Sequence, residues 1–190
     1  MVNMIYSISY KENIVGDRDT NNLVFSISED LQFFKKMTTE TTMIMGRKTF
    51  ESLPTGGLPK RKHVIVSNKI KTFEDAKEIL GKKYIENLTF ISLDKLEDYI
   101  KEESKVANIS IIGGAMLYSH FLKDKNLFDL VTNIYATEVD RIPEIKNPVK
   151  LMEHSNLKER CNFEIIKTGQ GKDRLDDNNL VKYNVVRYFE

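Results

Sequence analysis

Two short apolar segments each run into glycine and then into a helix-like segment. Residues 41–45 are followed by Gly46, and residues 106–113 end in paired glycines before an apolar-edged segment at 115–121. A strand that turns directly into a helix cannot pair with the next strand as a hairpin, so the connection crosses over and the strands lie parallel. This pattern predicts an α/β fold built on a mainly parallel sheet.

The rest of the chain supplies further strands and helices around these two units. The expected architecture is a single domain spanning residues 1–190, with a mixed, mainly parallel central sheet flanked by helices and a C-terminal antiparallel hairpin. Apolar and β-branched runs predict strands at 4–10, 41–45, 61–67, 88–91, 106–113, 127–139, 161–168 and 180–189. Helical spacing predicts helices at 26–38, 47–52, 92–103 and 115–121, and a surface excursion at 69–87 with a helical centre near 73–80.

The first predicted helix carries one acid at the edge of its apolar face. Ser26 and Glu29 have capping-box spacing, and Ser28 is a second candidate cap. Asp30 lies four residues before the apolar Phe34. One interpretation is an ordinary first-turn acid that is favourable to the helix dipole. The other is a buried carboxyl group that faces an apolar cavity and handles a proton near neutral pH.

Composition excludes several classes of function. The 29 basic and 28 acidic residues give a net charge of +1, which argues against nucleic acid as the main partner. No apolar run approaches the ~20 residues that a membrane span needs. Three dispersed histidines and a single cysteine, Cys161, predict neither a metal site nor an intrachain disulfide. The N-terminus has no signal-peptide pattern, so we expect a cytoplasmic protein.

Both glycine turns are candidate sites for a phosphate-bearing ligand. Gly46 is followed by Arg47, Lys48 and Thr49, which offer basic side chains and free N–H groups. The alternative is that these basic residues are simply solvated. The paired glycines at 113–114 allow close approach of a ligand to the backbone, and tight packing of helix on sheet explains them almost as well.

Four segments in the same order and spacing resemble dihydrofolate reductase. They are DLQFFK at 30–35 with Thr38, IMGRKTFES at 44–52, LPKR at 58–61 with VIVS at 64–67, and IGGAMLY at 112–118. The resemblance covers nearly the whole chain. It implies a dihydrofolate-reductase-like fold and reduction of 7,8-dihydrofolate with NADPH.

The resemblance also implies roles for individual residues near the substrate. Asp30 corresponds to the family's single active-site acid, which binds the pterin amino group and N3, and its charge favours protonation at N5. Thr132 corresponds to the threonine that shares a water and the amino group with that acid. The residues implied to wall the pterin and the benzoyl ring, and to bind the glutamate α-carboxylate, are Leu23, Leu31, Phe34, Leu53, Leu58 and Arg61.

On the cofactor side, the resemblance assigns the phosphates to the turn at Gly46, Arg47, Lys48 and Thr49. Gly113 and Gly114 correspond to the family's cis glycine pair, and Tyr118 to a residue near the nicotinamide. The adenosine is expected beside Val66, Ser67 and Asn68. The segment along the cofactor comprises Ile112, Gly113, Gly114, Ala115, Met116 and Leu117.

The chain departs from the family pattern at three points. The family usually has Leu-Pro-Trp before its acid-bearing helix, whereas this chain has Leu23, Val24 and Phe25, after a polar loop at 16–22 that is a candidate lid. In the family a basic residue often follows the serine after the third strand, whereas this chain has Asn68 after Ser67. The preference for NADPH over NADH is therefore open. The first strand aligns with a one-residue ambiguity, so Ser7, Ile8 or Ser9 faces the pterin.

Two alternatives to dihydrofolate reductase are compatible with the sequence. A reductase of the same fold acting on another heterocycle, such as the pyrimidine reductase of riboflavin synthesis, would share the cofactor half without the acid-bearing helix, so Asp30 with Phe34 discriminates against it. A non-catalytic nucleotide-binding protein of this fold would explain the altered lid. For the enzyme, we expect dihydrofolate as substrate, no nucleic-acid or membrane partner, and a monomer.

Overall fold

The computed structural model describes residues 1–54, 57–69 and 88–190. The predicted excursion at 69–87, with its helical centre at 73–80, therefore lies almost entirely outside the described residues. Of the breaker-rich loop at 53–59, positions 55 and 56 also lie outside them. Within the described ranges, no helix is both long enough and apolar enough to cross a membrane.

One large mixed sheet organises the described part of the chain. Its main path runs β5-β4-β3-β6-β1-β7-β10-β9, and β2 pairs with β1 and β8 beside that path. The strands are β1 (Val2–Ser9), β2 (Ile14–Asp17), β3 (Thr42–Gly46), β4 (Lys62–Val66), β5 (Leu88–Ile91), β6 (Ile109–Ile111), β7 (Asn133–Val139), β8 (Pro148–Lys150), β9 (Asn162–Asp173) and β10 (Asn179–Phe189).

The centre of the sheet is parallel, as the strand-glycine-helix pattern predicts. β1 pairs in parallel with β6 and β7, and β3 pairs in parallel with β4 and β6. Met4, Ile44 and Ile111 in these strands have no exposed surface. Strands covered on both faces must be apolar on both faces, which explains the near-continuous hydrophobic runs. Because the central strands are parallel, their carboxyl ends meet at one edge, where ligands bind in such sheets.

Helices cover the two faces of this sheet. The described helices are α1 (Ser28–Thr38), α2 (Arg47–Ser52), α3 (Leu96–Glu103), α4 (Ala115–Lys123), α5 (Lys125–Leu130) and α6 (Leu157–Arg160), with short 3-10 helices at Leu93–Lys95 and Met152–Asn156. The larger core cluster packs residues of α3, α4 and α5 on one face, including Leu96 and Phe121. Smaller clusters around Phe50 and Val185 lie on the face towards α1 and α2.

The C-terminal hairpin is present and longer than the sequence predicts. β9 and β10 pair antiparallel from Asn179 opposite Asp173 to Phe189 opposite Asn162, with an irregular register between Val185 and Val186. Residues 169–173, which lie between the two predicted strands, therefore continue β9, and residues 174–178 form the turn before β10. β10 also pairs antiparallel with β7, which joins the hairpin to the parallel core.

Three sequence predictions are wrong. The strand predicted at 127–139 is the helix Lys125–Leu130 followed by β7, because Asp124 caps that helix by accepting from the N–H groups of Asn126 and Leu127. The strand predicted at 106–113 shrinks to Ile109–Ile111. The capping box is absent, since Ile27 is the N-cap of α1 and no side chain caps it.

We expect Phe121→Ala to lower the free energy of unfolding by about 3–5 kcal/mol, because the side chain is fully buried and its removal leaves a cavity. Urea unfolding followed by circular dichroism measures this. Phe163→Ala is the matched control, since Phe163 is 48% exposed and its truncation should cost less than about 1 kcal/mol. Equal losses for the two variants would contradict the assigned core.

Candidate active site

Asp30 lies in the first turn of α1 and its carboxyl group points at the sheet. The hydroxyl of Thr137, in β7, donates to Asp30 Oδ1 at 2.5 Å. Thr137 is itself 2% exposed, so the acid meets a buried partner rather than bulk water. Of the two interpretations of Asp30, the structure therefore supports the partly buried carboxyl group over an ordinary surface acid.

Burial raises the pKa of the Asp30 carboxyl above its ordinary value. The hydrogen bond from Thr137 and the positive charge of Lys167 lower the pKa, and burial outweighs them. The folded chain therefore keeps a proton on Asp30 over a pH range in which the unfolded chain releases it. The contribution of this group to stability falls as the pH rises through that range.

The assignment of Thr132 as the partner of Asp30 is wrong. Thr132 precedes β7, and its Oγ1 accepts from the N–H of Val2 at 3.0 Å, while its own N–H donates to the Val2 carbonyl at 2.7 Å. Thr137 lies five residues further along, about 16 Å away in an extended strand. Both threonines lie in the predicted strand 127–139, and the structure shows that Thr137 is the one that reaches α1.

The register of β1 resolves the one-residue ambiguity in the first strand. Ser7 lies opposite Thr137 in the parallel pairing, so the two side chains share the face that α1 covers. Ile8 points to the opposite face and is fully buried in the larger core cluster. Ser9 Oγ donates to the carbonyl of Arg141 at 2.6 Å. Ser7 is therefore the one of these three residues that lies beside Thr137.

An apolar wall continues from Asp30 along α1. Phe34, Leu53 and Leu58 are partly buried against a cluster that contains Met43 and Phe50. These three residues were predicted to line the substrate, and the structure brings them together. Two other predicted wall residues are more open, since Leu31 is 39% exposed and Leu23 is 56% exposed.

Arg61 is fixed at the far end of this wall. Its Nε donates to Thr38 Oγ1 at 3.0 Å and its Nη2 donates to the Lys35 carbonyl at 3.2 Å, both at the C-terminal end of α1. Its Nη1 donates to the Pro59 carbonyl at 2.6 Å. These bonds orient a guanidinium group beside the apolar wall, where it can pair with a carboxylate.

The two predicted glycine turns meet at the carboxyl edge of the sheet. The N–H of Gly46 donates to the Gly113 carbonyl at 2.7 Å, and the Gly113–Gly114 peptide bond is cis, as the resemblance implied. A Cβ on Gly114 would lie 3.2 Å from Thr49 Oγ1. The absence of side chains at these glycines leaves a narrow, backbone-lined junction that suits the close approach of a dinucleotide.

Tyr118 closes the floor of this junction. Its hydroxyl donates to the Ile5 carbonyl at 2.7 Å, and burial raises its pKa. A Cβ on Gly113 would lie 3.0 Å from this hydroxyl. The bond ties the N-terminal part of α4 to β1, the strand that also carries Ser7. Ile5 is a contact that the sequence analysis missed.

The remaining predicted cofactor residues occupy varied positions. Arg47 forms an ion pair with Glu51 on the next turn of α2, and Asn68 Oδ1 accepts from the N–H of Leu93 at 3.2 Å. Met116 is 90% exposed, whereas Leu117 is buried in the larger core cluster and packs away from the junction. The others lie in or beside the strand ends: Lys48, Val66, Ser67, Ile112 and Ala115.

The described residues contain no group of three or more His, Cys, Asp or Glu side chains that could hold a metal ion. The described side chains between α1 and the sheet supply one carboxyl group, a hydroxyl group and an apolar wall, with a guanidinium group at the far end of α1. Such a set can position and protonate a bound heterocycle.

Comparison with known proteins identifies the family. A family model described as dihydrofolate reductase matches residues 1–188. The chain belongs to the dihydrofolate reductase family. The predicted membership and fold class are therefore confirmed.

Comparisons with individual members of the dihydrofolate reductase family support the same assignment. The dihydrofolate reductase of Bacillus subtilis (strain 168) is 29% identical over 188 residues, which cover 99% of this chain and 94% of that protein. Dihydrofolate reductase type 9 of Escherichia coli is 30% identical over 138 residues, which cover 73% and 70% of the two chains. The structure of the dihydrofolate reductase from Enterococcus faecalis complexed with NADP(H) and RAB-propyl superposes with a TM-score of 0.67 at 19% sequence identity. The match covers 100% of this chain and 95% of that chain.

We expect Thr137→Val to raise the pKa of Asp30 further, because the charged carboxylate loses the hydrogen bond that stabilises it. Carbon-13 NMR titration of the carboxyl carbons measures this in the free protein. Thr132→Val is the matched control and should leave the pKa of Asp30 unchanged, since Thr132 contacts Val2 instead. The same shift in both variants would reject Thr137 as the specific partner.

We expect Gly113→Ala to lower the free energy of unfolding by about 1–3 kcal/mol, because Gly113 has a φ of +116° that L-residues rarely adopt. The added Cβ would also press on the Tyr118 hydroxyl. Chemical unfolding measures the loss. Gly16→Ala is the control, since its Cβ would meet its nearest neighbours at 3.6 and 3.8 Å. A Gly113→Ala protein as stable as the control would contradict the described junction.

Proposed function

We propose that this protein reduces 7,8-dihydrofolate to 5,6,7,8-tetrahydrofolate with NADPH. The observation that carries the proposal is Asp30, a partly buried acid bonded to Thr137 at the head of an apolar wall. The glycine junction at Gly46 and Gly113 lies at the same sheet edge and supplies the second half of the site. Membership of the dihydrofolate reductase family supports both assignments.

In this proposal, Asp30 and Thr137 hold the pterin end of the substrate. The carboxylate accepts from the pterin amino group and N3, and the Thr137 hydroxyl fixes the orientation of the carboxylate. Phe34, Leu53 and Leu58 wall the rings and exclude water, with the exposed Leu31 and Leu23 at the rim. Arg61 binds the α-carboxylate of the glutamate tail through its guanidinium group.

The cofactor lies across the glycine junction. Gly46, Arg47, Lys48 and Thr49 bind its phosphates, and Val66, Ser67 and Asn68 border its adenosine. The segment from Ile112 to Tyr118, which includes Gly113, Gly114, Ala115 and Met116, follows the remainder. Bound there, NADPH supplies a hydride from nicotinamide C4 to pterin C6. The preference for NADPH over NADH stays part of the proposal, because the Asn68 side chain bonds to Leu93.

In this reaction the protein positions the substrate and the cofactor and favours protonation of N5. Hydride delivery to C6 must be matched by one proton at N5, so the overall step adds two hydrogens across the C6–N5 bond. The negative charge of Asp30 near the pterin favours a protonated N5. Because burial raises the pKa of Asp30, the site holds protons to a higher pH than an exposed carboxyl group would. The apolar wall strengthens this electrostatic effect by excluding water.

Dihydrofolate is favoured over another heterocycle by the acid-bearing helix. A pyrimidine reductase of the same fold would need the glycine junction and would not need Asp30 beside Phe34. The contact between Asp30 and Thr137 supports the pterin substrate. A non-catalytic role is disfavoured because the acid and the glycine junction both remain.

We further propose one domain over residues 1–190 that acts as a cytoplasmic monomer without a nucleic-acid or membrane partner. The family match over residues 1–188 supports the single domain. The near-zero net charge of +1 supports the absence of a nucleic-acid partner. Light scattering of the purified protein measures the oligomeric state.

We expect Asp30→Asn to lower dihydrofolate-dependent oxidation of NADPH at neutral pH by about 10²–10⁴-fold, because the site loses its ionisable group. The loss of NADPH absorbance measures the rate. Activity should recover in part at acidic pH, where solvent supplies N5 with its proton. Affinity for NADPH should stay within about twofold of wild type, because the acid lies on the substrate side.

Asp129→Asn is the control for this experiment, since Asp129 pairs with Lys125 on the surface of α5. It should retain wild-type turnover. Full activity of Asp30→Asn would contradict the role assigned to the acid. If wild-type protein binds NADPH but oxidises it without dependence on dihydrofolate, the assignment of dihydrofolate as the substrate would be wrong.

A further inference from the structure

The segment that leads into α1 has neither of the features that fix it in most of the family. This entry segment, residues 24–28, carries Val24 and Phe25 in place of proline and tryptophan. Its N-cap residue, Ile27, makes no side-chain capping bond. Yet Val24, Phe25 and Ile27 are 5%, 2% and 1% exposed. Other contacts must therefore fix the conformation of the entry segment.

Asp173, at the end of β9, supplies the central contact. It is fully buried, and its Oδ1 accepts from the N–H groups of Ser26 at 2.9 Å and Leu175 at 3.0 Å. Its Oδ2 accepts from Arg141 Nη2 at 2.7 Å. A buried carboxylate with three donors is satisfied, and removal of its cationic partner leaves an uncompensated buried charge.

Arg141 extends this contact to both sides of the entry segment. Its Nη2 also donates to the Val24 carbonyl at 3.2 Å, and its Nη1 pairs with Asp176 at 3.2 Å. Its guanidinium carbon lies 5.3 Å from the centre of the Phe25 ring. The planar fork of arginine can make these contacts at once, whereas a lysine ammonium cannot.

The end of β9 also pairs directly with the entry segment. Ile27 and Asp173 form an isolated antiparallel bridge, and the N–H of Arg174 donates to the Ser26 carbonyl at 3.0 Å. Arg174 Nη2 donates to Ser28 Oγ at 2.6 Å. A Cβ on Gly171 would lie 2.5 Å from Ile27 Cγ2, so the approach is as close as backbone allows.

We infer that Arg141 and Asp173 are positioning residues that set the start of α1 and thereby place Asp30 against Thr137. Asp30 follows Ser28 by two residues on the same helix, so a shift of the entry segment moves the carboxyl group relative to β7. The ion pair holds a helix start that has no side-chain cap of its own. The catalytic consequence of this inference rests on the proposed function, whereas its geometric consequence does not.

The pKa of Asp30 reports on this geometry directly. Burial, the Thr137 hydrogen bond and the charge of Lys167 set that pKa. If the start of α1 moves, the burial of Asp30 and its hydrogen bond to Thr137 both change, and the pKa shifts. The effect of losing a positive charge is controlled by a second arginine variant that does not contact the entry segment.

The test compares Arg141→Met with Arg187→Met. Arg187 pairs with Glu164 on the same hairpin at 3.0 Å and does not touch the entry segment. Its replacement by methionine also removes one positive charge. Carbon-13 NMR should show a shifted pKa of Asp30 in Arg141→Met and an unchanged pKa in Arg187→Met. Turnover with dihydrofolate should fall about 10- to 100-fold in Arg141→Met, with the dissociation constant for NADPH within about twofold of wild type.

An Arg141→Met protein whose Asp30 pKa and turnover match those of Arg187→Met would overturn the inference, because the ion pair would then contribute stability alone. If Arg141→Met does not fold, Arg141→Lys replaces it. Lysine keeps the pair with Asp173 and loses the fork, so a smaller shift of the Asp30 pKa supports positioning and an unchanged pKa refutes it. The titration needs no substrate, so a wild type without dihydrofolate-dependent activity would refute the proposed function and leave this test intact.

Discussion

The site depends on one hydrogen bond, from the hydroxyl of Thr137 in β7 to the carboxyl group of Asp30 in α1. It joins the helix that covers one face of the sheet to a strand that ends at the sheet's carboxyl edge. Burial makes the charged acid costly and raises its pKa, and this bond offsets part of that cost. Because the bond orients the acid, the position of α1 decides the chemistry of the site.

The parallel sheet makes this arrangement possible. The glycine turns after β3 and β6 meet at the same edge at which β1 and β7 present Ser7 and Thr137. Parallel strands bring distant parts of the chain to one edge without long loops. The antiparallel hairpin then adds Asp173, which anchors the entry segment from the opposite side of β7. The acid is thus held by the core on one side and by the hairpin on the other.

Local patterns predicted much of this arrangement. The strand-glycine-helix turns predicted the parallel core, and Asp30 with Phe34 predicted an acid beside an apolar wall. Thr137 was missed because both it and Thr132 lie in the predicted strand 127–139, and only the tertiary structure shows which threonine reaches α1. The Arg141–Asp173 pair joins residues 32 positions apart through tertiary packing, which no local pattern shows.

The most direct test of the account is the rate of hydride transfer in a single turnover, measured against pH with NADPH and with NADPH deuterated at the transferred position. A transfer in which the charge of Asp30 favours a protonated N5 predicts a primary isotope effect and a rate that falls as the pH rises, because N5 loses its proton. A rate with an isotope effect but no dependence on pH would contradict the central role of Asp30.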